Sequence, residues 1–312
     1  MQAATATERL TTLEPPPESS SKTFTRAFQD IVGGLRAREL WGHLGWQDIK
    51  QRYRRSVIGP LWISISMGVT ALGLGILYAV LFGNDLKTFL PYVTTGFLVW
   101  GFINGCITEG MDAFISNEGL IKHLPAPLTV YALRTVWRQT LMFLHNLVVY
   151  LIIIGIFFKW LAADNYTLTG KPCGTTGAGV CHPGLSAMWL TAIPAFLLLA
   201  VTGVWVTLLL GIISTRFRDI PQVINSLIQL FFYMTPIVWS PDVLFANPGH
   251  EWAHVLFQFN PLYHYVQIMR APMIGQVASM TSWLAVIAMT VVGSALAVVA
   301  MRNYRSRVSY WV

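Results

Sequence analysis

Long uncharged stretches separated by short basic ones set the pattern of this chain. No residue between Arg55 and Asp85 carries a formal charge. A helix needs about 20 apolar residues to cross a bilayer, so 61–82 is predicted as a first span. Residues 89–107, with Pro91 tolerable in the first turn, form a second. Residues 139–158, 187–213, 220–240 and 282–301 follow as spans three to six. A further uncharged window, 252–269, holds His254, Gln258, Asn260, Pro261, His264 and Gln267 and is too polar and broken to cross alone. Residues 241–272 are therefore read as a re-entrant or interfacial hairpin, its backbone buried in protein or facing water.

Composition turns these windows into a fold class. The 312 residues are 54% hydrophobic and 11% charged, with a mean hydropathy of +0.54, whereas a soluble domain carries about 25% charged residues. That excludes a soluble enzyme, a nucleic-acid-binding module and a disordered scaffold. The net charge of +7 acquires meaning by position. Arg36, Arg38, Lys50, Arg52, Arg54, Arg55, Lys122, Arg134, Arg138, Arg216, Arg218, Arg302, Arg305 and Arg307 fall on one side of the spans. Lys87, Lys159, Lys171 and Arg270 fall on the other. The positive-inside rule then puts both termini in the cytoplasm and requires an even number of crossings. The expectation is an all-α polytopic membrane protein with six transmembrane helices, an N-terminal amphipathic helix, and an extracytoplasmic re-entrant hairpin between spans five and six. Residues 1–30, rich in Thr, Ser, Glu and Pro, read as a disordered cytoplasmic tail without the apolar stretch of a signal peptide.

Candidate chemistry is sparse. No span has a charge in its middle, which counts against a proton- or sodium-coupled carrier. The seven His show no metal-ligand spacing, and His145, inside span three, is read as a packing hydrogen bond. No catalytic residue and no metal site is expected. Gly170-Lys171-Pro172 fails as a phosphate loop, so any ATPase lies on another chain. Cys106 is placed in span two as packing. Cys173 and Cys181, in the outside loop, suggest a disulfide if that side is oxidising, with zinc and His182 as the alternative.

The stretch 35–55 is the most informative. At helical period Leu40, Trp41 and Leu44 share one face, and Trp46, Ile49 and Tyr53 another roughly opposite. The change of face falls at Gly42 and Gly45, which predicts two short amphipathic turns lying on the membrane surface. Gln51-Arg-Tyr-Arg-Arg-Ser-Val-Ile-Gly-Pro-Leu-Trp62 resembles the ABC-type polysaccharide export permeases, the membrane subunits that export O-antigen, capsule or teichoic acid. The resemblance continues in Asn117-Glu-Gly-Leu-Ile-Lys-His-Leu-Pro125, Arg216-Phe-Arg-Asp-Ile-Pro221, Met234-Thr-Pro-Ile237, and Asn260-Pro-Leu262 followed by Arg270. It spans 35–311, while the loop 162–187 is longer than is usual there.

That resemblance implies residues 31–312 as an export permease domain in a bacterial inner membrane, with the channel at a homodimer interface. Two ATPase subunits would carry ATP and Mg, with no cofactor in this chain, and the substrate would be a polyprenyl-diphosphate-linked polysaccharide. It implies that 117–124 is a coupling helix docked on the ATPase, with Asn117, Glu118, Leu120, Ile121, Lys122 and His123 in the contact. Arg216, Arg218 and Asp219 would form a second contact. Trp41, Trp46, Arg52, Tyr53, Arg54 and Arg55 would gate the entrance, the arginines meeting the lipid diphosphate. Tyr78, Phe82, Phe231, Phe232 and Tyr233 would line the channel, and Trp252, Phe257, Phe259 and Tyr263 the outer hairpin. An ABC exporter of drugs or lipids, or an integral-membrane transferase acting on polyprenyl-linked sugar, stands as the alternative.

Overall fold

The computed structural model describes residues 23–54, 56–59, 61–123, 126–175, 179–241, 255 and 257–312. Arg55, Leu124, residues 1–22 of the tail, and residues 242–254 (with Trp252) and 256 of the 241–272 hairpin lie outside them. Among the described residues the chain is mostly helical, as α1 (Phe24–Arg36), α2 (Arg38–Arg52), α3 (Leu61–Phe82), α4 (Leu86–Met111), α5 (Glu118–His123), α6 (Leu128–Leu161), α7 (Ala192–Arg216), α8 (Ile220–Met234), α9 (Pro261–Met273) and α10 (Met280–Trp311). Five segments, α3, α4, α6, Ala187–Arg216 and α10, are long and apolar enough to cross a membrane.

The expected fifth span differs. Helix α8 has 15 residues and is about 22 Å long at 1.5 Å per residue, short of a hydrocarbon core of about 30 Å. It stops because Thr235 precedes Pro236: a following proline disfavours the α region, and Thr235 is extended (φ −88°, ψ 133°). Helix α8 stands off α7 and leaves an apolar cleft of about 390 Å³, bounded by Phe102, Ile107, Leu209, Leu227 and Phe231.

Four further expectations shift. Helix α2 runs straight through Gly42 and Gly45, and the chain breaks instead at Ala37, between α1 and α2. The tail, expected to reach residue 30, gives way to helix at Phe24, where Thr23 accepts from the Arg26 N–H as N-cap. Helix α4 begins at Leu86 because Asp85 caps it, so Pro91 lies inside the helix rather than in its first turn. Helix α6 begins at Leu128, which takes Arg134 and Arg138 out of a loop and onto a helix.

That early start has a tertiary cause. Pro127 has no capping side chain, and Asp30 of α1 supplies one from a distance. Its carboxylate accepts from the backbone N–H of Leu128 (3.1 Å) and Thr129 (3.0 Å), from the Thr129 hydroxyl (2.8 Å) and from Arg305 of α10 (2.8 Å). A negative charge at a helix N-terminus is favourable, and here it ties three helices together. Along α3, Ser64, Gly68, Ala71, Gly75 and Ala79 are buried at helical spacing, a small-residue stripe that lets α3 approach α4 and α6. His145 bonds within its own helix, Nδ1 lying 2.7 Å from the Leu141 carbonyl.

Candidate functional site

The strongest concentration of charge lies at the end of the bundle where α2 crosses α4 and α6. Arg134 donates from Nε (2.8 Å) and Nη2 (2.6 Å) to the two oxygens of Asp48. Its remaining nitrogen, Nη1, donates to the side-chain oxygen of Asn117 at 2.7 Å. One turn on, Arg138 pairs with Asp48 at 2.9 Å and with Glu109 at 2.6 Å. Glu109 also accepts from Arg52 of α2 at 3.1 Å and from Gln139. Two arginines four apart on a helix repel unless counter-charges interleave, which Asp48 and Glu109 do.

These groups are shielded. The side chains of Asp48, Arg134 and Arg138 are about one-sixth exposed, so their fork-shaped ion pairs are stronger than surface pairs. Burial acts to raise the Asp48 carboxyl, but the hydrogen bonds and charges of Arg134 and Arg138 outweigh it and hold it below the usual value. Arg52 is different, with 47% of its side chain exposed.

The segment expected to be a coupling helix is a 3-10 turn, Ile115–Asn117, followed by α5. Asn117 closes the turn by donating to the Ala113 carbonyl (2.8 Å) while its oxygen holds Arg134. Glu118, Lys122 and His123 are exposed, whereas Leu120 and Ile121 are half-buried against the chain's own apolar cluster, so they do not form an open ridge. Lys122 pairs with Glu118 (2.6 Å), the hydrogen bond and charge of Lys122 lowering the Glu118 carboxyl. Lys122 also donates to the carbonyl of Val312 (3.0 Å). Arg218 reaches the neighbouring carbonyl of Trp311 (3.4 Å), and Arg216 lies over the Trp311 ring. The end of α10 thus brings together the two segments expected to meet an ATPase. Asp219 occupies the N-cap position of α8 without a side-chain cap hydrogen bond.

The gate residues divide. Trp41 packs edge-on against Trp137 of α6, Tyr53 is half-buried, and Trp46 and Arg54 are exposed. Among the aromatics expected in a channel, Phe232 packs inward on Phe97 and Trp100 of α4. Phe231 faces the cleft beside α7, Tyr78 packs at a tilt against Phe82, and Tyr233 is exposed.

At the opposite end, Phe257 is buried against Trp239, Tyr263 lies beside it, and Phe259 is exposed. Helix α9 starts at an Asn260 cap with Pro261 at its first position. The Asn260 amide donates to the Thr235 hydroxyl (2.9 Å), and Arg270 donates to the Pro236 carbonyl (2.6 Å) while lying 4.0 Å over the Tyr92 ring. The Thr-Pro and Asn-Pro motifs therefore converge on the broken end of α8. Arg270 is only 1% exposed and has no carboxylate ion-pair partner among the described residues.

Cys173 and Cys181 are joined to each other, which leaves neither thiolate for the zinc alternative. His182 instead stacks on Tyr166, its backbone pairing with that of Tyr166 in both directions. Sequence reasoning missed Asp30, Asp48, Glu109, Arg134 and Arg138 as a set. The available signal was the spacing: acids in basic segments, and two arginines four apart.

The family model described as ABC-2 type transporter matches residues 39–274. The O-antigen export system permease protein RfbA of Klebsiella pneumoniae is 24% identical over 216 residues, which cover 69% of this chain and 73% of that protein. The protein of the same name from Myxococcus xanthus is 22% identical over 208 residues, 65% of this chain and 71% of its own length.

Proposed function

The chain belongs to the ABC-2 type transporter family, and from that premise we propose that it is the permease subunit of an ATP-driven exporter of lipid-linked polysaccharide. The observation that carries this reading is the joined face at the end of α10. Lys122 of α5 is held by the carbonyl of Val312, and Arg218, before α8, by that of Trp311. Two exposed segments far apart in sequence thereby form one polar platform, of the kind a separate ATPase subunit can push against. The similarity to O-antigen export permeases supports the choice of substrate class.

In this reading two copies of the chain form the channel and each receives one ATPase subunit, which supplies ATP and Mg. The basic end faces the cytoplasm of a bacterial inner membrane, an orientation that the bias of Arg and Lys to that end supports. A sixth crossing, begun by α8 and completed by the bent segment after it, brings both termini to that side. Arg52 and Arg54, with Arg55 outside the described residues, lie on the approach to the entrance and meet the diphosphate of a polyprenyl carrier. Arg54 is exposed and has no ion-pair partner among the described residues, while Arg52 shares its charge with Glu109.

The test is reconstitution of this chain with its ATPase in vesicles carrying a radiolabelled polyprenyl-diphosphate glycan. ATP-dependent transfer of the glycan into the lumen is expected, reduced at least ten-fold by replacing Arg52, Arg54 and Arg55 together with Gln. Turnover of the glycan without the ATPase would favour a transferase. ATPase stimulation by small hydrophobic cations, with no glycan movement, would favour a drug exporter.

A further inference from the structure

We propose that Arg134 is a positioning residue that makes the ATPase contact and helix α2 move as one body; the proposal rests on the reading of the chain as an ATP-driven permease. A planar guanidinium has three nitrogens, and all three are engaged here. Nε and Nη2 hold both oxygens of Asp48 on α2 (2.8 and 2.6 Å), and Nη1 holds Asn117 (2.7 Å). Asn117 is the last residue of the 3-10 turn, directly before α5. The route from α5 to α2 is therefore two side-chain steps long, through one rigid fork.

Three features make this a link rather than a surface pair. The first is shielding: Arg134 and Asp48 are each 15% exposed at the side chain, so water competes poorly and the geometry is held. The second is planarity. A displacement of Asn117 turns the fork, and a turned fork must drag Asp48 or break two hydrogen bonds at once. The third is close contact beneath it. Gly45 of α2 lies against the Trp137 ring and the Arg134 carbonyl, and a Cβ built on it would approach them to 2.9 and 3.3 Å. Helix α2 thus rides on the same turn of α6 that carries the fork.

Arg138 supplies the internal comparison. It also pairs with Asp48, and with Glu109, and is just as shielded, but no hydrogen bond joins it to Asn117. Losing either arginine removes an ion pair to Asp48. Only losing Arg134 removes the connection to the segment before α5.

The full complex with its ATPase is measured in vesicles for two rates, ATP hydrolysed and glycan moved, and their ratio is independent of how much complex assembles. Arg134→Gln and Arg134→Lys are expected to hydrolyse ATP while moving at least ten-fold fewer glycans per ATP, since Lys keeps the charge but has no fork. Arg138→Gln is expected to keep the wild-type ratio, whatever it does to yield. Equal losses in the Arg134 and Arg138 variants, or an unchanged ratio in Arg134→Lys, would overturn the proposal and make the network a plain structural staple. If the Arg134 variants fail to assemble, spin labels on protein that keeps Arg134 decide. Labels at the exposed positions Gln47 and Gly119 are expected to keep one separation with and without trapped ATP while Gln47 moves relative to Leu86. Separation of Gln47 from Gly119 would overturn the proposal. Absence of ATP-dependent glycan movement in the wild type would instead overturn the functional reading on which it rests.

Discussion

The His182 ring is buried, lies flat on Tyr166, and has its Nδ1 without a hydrogen-bond partner among the described residues. Burial disfavours the imidazolium, and the nearby Arg270 charge adds to it, so the ring titrates at about 4 rather than 6.5. The sign follows directly. The folded state binds fewer protons than the unfolded state between those values, so the contribution is complete above pH 6.5 and lost as the pH falls towards 4. At full extent this is roughly 3 kcal/mol. Hydrogen exchange in residues 162–187 is expected to quicken as the pH is lowered through that window, after correction for the intrinsic rate, and His182→Phe is expected to flatten the profile. A flat wild-type profile would contradict this account. Single residues differed in how far sequence revealed them. The pair Cys173 and Cys181 is legible because spacing and compartment alone suggest it. Asp30 is not, because its role as a cap depends on helix α6 beginning nearly a hundred residues later, next to Pro127.

At the scale of elements, Gly42 and Gly45 of α2 separate propensity from packing. Both are poor helix formers, and reading them as a break in the helix used only that property. The structure gives them different surroundings. A Cβ on Gly42 meets nothing within 4 Å, whereas one on Gly45 meets the Trp137 ring and the Arg134 carbonyl. Gly42→Ala is therefore expected to stabilise the protein by up to about 1 kcal/mol, the helix-propensity gain. Gly45→Ala is expected to destabilise it by about 1–3 kcal/mol through overpacking, because backbone and a wedged indole cannot retreat. Thermal melts of the two variants in one detergent check this, and shifts of equal sign would refute it. Hydrophobic pattern placed α3 at its observed bounds because the absence of charge defines both the window and the span. It failed at α6, where Arg134 and Arg138 were set outside the helix. Their charges are neutralised by Asp48 and Glu109 from other helices, which no window along the chain can register.

At the scale of the whole molecule, burial is distributed unevenly among the apolar helices. Helix α4 is the central one, with 72% of its most apolar window buried, against 17% for α3. Helix α8 buries only Ile228. The inward side of α3 is already occupied by its small-residue stripe, so its large residues Val69, Leu77, Val80 and Leu81 point away from the bundle. If a channel forms between two copies, the helices least committed to their own chain are the ones able to line it, and these are α3 and α8. Val80 of α3 is 80% exposed and Tyr233 of α8 is 59% exposed, both near the end of the bundle that carries the disulfide. The variant Val80→Cys with Tyr233→Cys is expected to form dimers on mild oxidation in native membranes, while Cys106 stays inert because it is buried. Val292→Cys on α10, at 59% exposure, is the control, since α10 is engaged with α7 of its own chain. Cross-linking through α10 in place of α3 and α8 would move the interface to the other side of the bundle and separate the aromatic residues Tyr78, Phe82 and Tyr233 from any shared channel.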